Sequence, residues 1–80
     1  MVKLSKGDRF YGLHNDTVVS EHIVHKVSKL WAFSGSLVLL RDTADDEQVI
    51  PKTGYITGVN RFQLANPTLT LQWKQRNGKK

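Results

Sequence analysis

The stretch Leu37-Val38-Leu39-Leu40-Arg41-Asp42, followed after a short acidic segment by Gln48-Val49-Ile50-Pro51, decides the fold. Leu37 and Leu39 fall on one face of an extended chain, Val38 and Leu40 on the other. Apolar residues on both faces predict a central strand covered on both sides. Asp42-Thr43-Ala44-Asp45-Asp46-Glu47 reads as the turn and Gln48-Val49-Ile50 as the returning strand. Pro51 ends the ladder because it has no N–H to donate.

Upstream, Lys6-Gly7-Asp8-Arg9-Phe10-Tyr11-Gly12 opens as a turn and runs into a strand. Gly7 tolerates the positive φ of a turn and Asp8 can accept from nearby backbone N–H groups. His14-Asn15-Asp16 predicts a loop. The segment from Thr17 to Leu30 admits two readings. Val19, Ile23, Val27 and Leu30 recur at helical spacing, and Asn15, Asp16 or Thr17 would cap such a helix. Val18, Val19, Ile23, Val24 and Val27 are β-branched, which favours a long strand, bent or bulged near Val24. Propensity favours the strand. Trp31-Ala32-Phe33 continues extended, and Ser34-Gly35-Ser36 breaks it.

Downstream, Lys52-Thr53-Gly54 is a turn, Tyr55 to Val59 a short strand or single helical turn, and Asn60 to Leu64 a loose continuation. Ala65-Asn66-Pro67 breaks the chain. Leu69, Leu71 and Trp73 then alternate with Thr68, Thr70, Gln72 and Lys74, the cleanest period-two pattern in the sequence. The expectation is one all-β domain over residues 1–74, with about five or six short antiparallel strands, at most one short helix, and a basic tail over 75–80.

Lys6-Gly7-Asp8-Arg9-Phe10 as the lead-in to a first strand, with the central hairpin ending Gln48-Val49-Ile50-Pro51, resembles the SH3-like small β-barrels over about residues 3–64. The resemblance implies a small barrel with a short helical turn after the hairpin. Gly7-Asp8-Arg9 and Gln48-Val49-Ile50 are also similar to segments of one member class, the plasmid-borne type II dihydrofolate reductases. The rest of that class's pore-lining sequence has no counterpart here.

Composition bounds the function. The 80 residues include no cysteine, which excludes disulfides, thiolate metal sites and a thiol nucleophile, and points to a cytoplasmic rather than a secreted protein. The first residues, Met1 to Lys6, lack the apolar run of a signal peptide, and no apolar run is long enough to span a bilayer. His22 and His25 are three apart. They would share a face only on a helix and have no third ligand nearby, so no metal is expected. Asp42, Asp45, Asp46 and Glu47 lack calcium-loop spacing. The serines Ser20, Ser34 and Ser36 lie in no nucleophile motif, and no cofactor or enzymatic activity is expected.

The net charge is +5, and four of the seven acids sit in one segment, so the remainder is strongly basic. That balance favours an anionic partner, single-stranded nucleic acid or RNA first and an acidic protein next. Lys26 and Lys29 beside Trp31, Arg61 beside Phe62, and Lys74 and Arg76 near the C-terminal end are the candidate contacts. Cations would neutralise phosphates and Trp31 would stack a base. The alternative is an interaction or self-assembly module pairing through an exposed strand edge at Thr68–Lys74.

Overall fold

The computed structural model describes residues 2–52 and 56–77 of the chain. Expectations for Thr53, Gly54 and Tyr55, and for Gly78, Lys79 and Lys80, lie outside the described residues. Among the described residues seven strands and one helix follow in order: β1 (Arg9–His14), β2 (Thr17–Ile23), β3 (Lys26–Val27), β4 (Trp31–Ser34), β5 (Leu37–Leu40), β6 (Gln48–Val49), β7 (Arg61–Leu64) and α1 (Pro67–Asn77). They form a four-stranded antiparallel sheet, β2-β1-β7-β6, and a three-stranded one, β3-β4-β5. The all-β class with a single helix is thus as expected, but the two sheets do not close into a continuous barrel.

Local chemistry sets the turns. Asn15 and Asp16, at φ 50° and 68°, form the two-residue turn between β1 and β2. Both residue types tolerate the left-handed region, and a turn with two such residues matches strand twist. Gly35, at φ 59°, opens the β4–β5 turn. Residues 17–27 are extended rather than helical. The chain leaves the first sheet at Val24-His25 and enters the second as β3, so the bent strand serves both sheets. Val24 is buried at this corner, and its N–H donates to the Asp8 carbonyl at 2.8 Å.

The expected central hairpin is partly realised. β5 forms its tight hairpin with β4, and β6 pairs with β7. Just beyond β6, the chain runs beside β5: Leu40 N–H donates to Ile50 O and Lys52 N–H to Val38 O, both at 2.8 Å. Pro51 lies opposite Leu39, where no donor is required of it. The N-terminal segment closes the base of the sheets through Leu4 N–H to Arg41 O at 2.7 Å. Thr43, almost fully buried, receives the Val2 N–H at Oγ1 and donates its hydroxyl to Val2 O.

The main core lies between the sheets: Leu4, Phe10, Val24, Ala32, Leu39, Val49, Val59 and Phe62. Phe10 and Phe62 meet edge to face, with ring centroids 5.7 Å apart. Gly12 faces this core where a Cβ would press on Ser20 Oγ and on Val59 Cγ2, so a larger residue would have to displace the Ser20 hydroxyl and crowd Val59. A second cluster, Tyr11, Leu13, Val18 and Leu69, fills the other face of the four-stranded sheet, beneath α1.

The period-two segment Leu69–Trp73 is helix, not strand, and the expected edge at Thr68–Lys74 does not exist. Asn66 caps it: its Oδ1 accepts the Leu69 N–H at 2.9 Å, and its carbonyl accepts the Thr70 N–H. Pro67 occupies the first helical position, where its missing N–H would have had no intrahelical partner. Leu69 and Trp73, four apart, share the sheet-facing side, and Trp73 lies 6.1 Å from Tyr11. Leu71 points to solvent. The helix reaches Asn77, so residues 75–77, expected as tail, continue it. Asn66→Ala should destabilise the protein by about 1 kcal/mol, read as a lower urea midpoint with an unchanged slope. An unchanged midpoint would show that the cap is dispensable.

Candidate functional site

The alternation of β4 sorts its side chains. Ala32 and Ser34 are buried and face the core, so Trp31 and Phe33 project from the outer face of the three-stranded sheet. The register extends that face on both sides. Lys26 stands opposite Phe33 on β3, while Val27, opposite Ala32, packs against the core. On β5, Val38 stands opposite Phe33 and Leu40 opposite Trp31. Ile50 and Lys52, alternating with core-facing Val49 and with Pro51, continue the face beyond β5. No helix or second sheet among the described residues covers it; α1 packs against the other sheet.

This bare face explains the two-sided apolar pattern of β5. Only Leu39 belongs to the buried core, with Leu37 packed against it. Val38 is half-buried and Leu40 is 37% exposed, outside the core. Trp31, Phe33 and Ile50 are likewise half-buried, so the face offers a partly exposed apolar surface edged by lysines.

Each ring carries its own cation. Lys52 Nζ lies 5.0 Å from the centre of the Trp31 ring and Lys26 Nζ 5.9 Å from that of Phe33. At an exposed site such a contact contributes about 0.5–1 kcal/mol. Lys29 is exposed in the β3–β4 turn next to Trp31. That turn is held by Ser28, whose N–H donates to the Trp31 carbonyl at 2.8 Å and whose Oγ accepts the Trp31 N–H at 3.2 Å. Arg41 Nη1 donates to the Ser28 carbonyl at 3.0 Å and fixes the turn from the side.

Of the six residues expected at the site, the fold sets Lys26 and Trp31 on one face, with Lys29 exposed in the adjoining turn. Arg61 goes elsewhere: its neighbour Phe62 faces the inter-sheet core, so Arg61 projects from the opposite face of β7. There it pairs with Asp46 at 2.7 Å and with Gln63 at 3.1 Å. Lys74 and Arg76 are exposed on α1, also on that far side. Sequence reasoning missed Lys52, Phe33 and the aliphatic neighbours Val38, Leu40 and Ile50. The alternation Trp31-Ala32-Phe33-Ser34 placed Phe33 beside Trp31 once β4 was a strand; Lys52 is legible only from the register across Pro51.

His22 stands apart from this face. His22, directed into the main core, stacks on Phe10 at 5.1 Å and meets the edge of Phe62 at 5.6 Å, with Nε2 2.9 Å from Ser20 Oγ. His25 is exposed. Among the described residues no three His, Asp or Glu side chains gather as a metal-ligand set. Burial lowers the His22 pKa below its ordinary value of 6.5, opposed by the neighbouring Glu21 carboxylate. Folding therefore favours neutral His22. Its contribution to stability is fully present above pH 6.5 and is lost as pH falls through the lower folded-state value. His22→Gln should flatten that part of the acid loss in urea midpoints taken between neutral and mildly acidic pH. An identical slope in the variant would remove His22 from the account.

Comparison with family models, with curated proteins and with solved structures returns no match. Among the described residues no helix is long and apolar enough to cross a membrane.

Proposed function

We propose that this protein is a non-enzymatic module that binds single-stranded nucleic acid on the outer face of β3, β4 and β5. The observation that carries the reading is the pair of half-buried outer-face rings, Trp31 and Phe33, each with a lysine ammonium over it. Aromatic platforms stack bases of any identity, and adjacent ammonium groups neutralise phosphates. The net charge of +5 supports the same partner by long-range attraction. The order β7-β1-β2 in one sheet and β3-β4-β5 in the other, with one bent strand shared at the corner, supports an SH3-like reading of the fold. The cysteine-free composition supports a cytoplasmic location.

Fluorescence anisotropy with a labelled single-stranded oligonucleotide tests this. Binding should weaken steeply as salt rises, and replacing Lys26 and Lys29 together with alanine should weaken it several-fold at moderate salt. Affinity unchanged in that double variant would move the interface away from this face.

A further inference from the structure

We infer that this face is a two-nucleotide site in which Lys52 and Lys26 exchange their rings for phosphates when the bases stack. The inference rests on the nucleic-acid reading above and specifies it. Trp31 and Phe33 occupy alternate positions of one strand, so their Cα atoms lie about 6.4–6.8 Å apart. Successive bases of a B-form strand rise only about 3.4 Å. One base per ring therefore requires a strand stretched beyond its helical spacing. A free single strand can stretch; a duplex held by pairing and stacking resists it.

The lysines are arranged to match. Lys26 comes from β3, on one side of β4, and Lys52 from the segment beyond β5, on the other. Each ammonium now lies over one ring. A base stacked on an aromatic side chain contributes more than an exposed cation–π contact, so the base takes the ring. The displaced ammonium, on a flexible four-carbon stem, stays within reach of the phosphate that arrives with that base. Two rings and two cations thus define two nucleotides, with little preference among bases. Lys29, over neither ring, adds only diffuse attraction.

The test measures the salt dependence of oligothymidylate binding for the unmodified protein, Lys52→Met, Lys26→Met and Trp31→Ala. Each lysine variant should show a log–log slope shallower by about 0.7, the value for one phosphate contact on a single strand. Trp31→Ala should weaken binding with its slope unchanged, and a duplex of the same length should bind more weakly than the single strand at every salt concentration. Slopes unchanged in both lysine variants while the oligonucleotide still binds would overturn the exchange and leave the broader reading standing. No binding by the unmodified protein even at low salt would overturn both.

Discussion

Replacing Phe62 with alanine should cost about 3–5 kcal/mol, a large share of the stability of so short a chain. Phe62 is completely buried and central: β7 lies between β1 and β6, and the ring meets Phe10 and His22 edge to face. Truncation removes apolar burial, opens a cavity and breaks both ring contacts. A chain of this length has a total stability of roughly 4–12 kcal/mol at about 0.05–0.15 kcal/mol per residue. The loss is therefore at least about a quarter of the total, and most or all of it at the lower end of that range. A midpoint lowered by at least about a quarter, or a urea transition with its native baseline lost, is the expected readout. A midpoint near that of the unmodified protein would mean that the space between the sheets is not the core described here.

Trp31→Ala should do the reverse: leave stability nearly unchanged and impair binding. The ring belongs to neither buried cluster, so its removal opens no cavity. Loss of one base–aromatic stack should cost about 1–3 kcal/mol of affinity, roughly 5- to 150-fold. The contrast between the two variants separates the side of β4 that holds the fold from the side that meets a partner. A Trp31→Ala protein that melts well below the unmodified one, or that binds single strands undiminished, would contradict this division.

How much of this was legible in the sequence depended on whether a local pattern had one solution or two. β-branching in Val18, Val19, Ile23, Val24 and Val27 correctly favoured extended chain over a helix, because tertiary pairing with β1 and β4 rewarded it. Asn15-Asp16 and Gly35 marked the turns because the backbone there requires left-handed φ. Thr68 to Trp73 misled because strict alternation and a helix with Leu69 and Trp73 in register are both compatible with that short run. The deciding signal was Asn66-Pro67, which reads as a chain break and equally as a cap with proline in the first turn. The site was half legible. Lys26 and Trp31 are close in sequence, and the short turn between β3 and β4 folds them back onto one face. Arg61 was assigned to it by adjacency to an aromatic residue, but Phe62 and Arg61 must point to opposite faces of a strand. Lys52 reaches Trp31 only through the pairing of residues 50–52 with β5, a long-range register that no local pattern encodes.

The most direct test of the central claim uses Trp31 as its own reporter. In a Trp73→Phe variant, which keeps an aromatic ring against Tyr11, Trp31 is the sole indole of the chain. Titration with a single-stranded oligothymidylate at low salt should quench its emission along a saturating curve, and added salt should reverse the quench as the strand dissociates. Emission that stays constant while anisotropy reports a bound oligonucleotide would place the interface elsewhere and contradict the account.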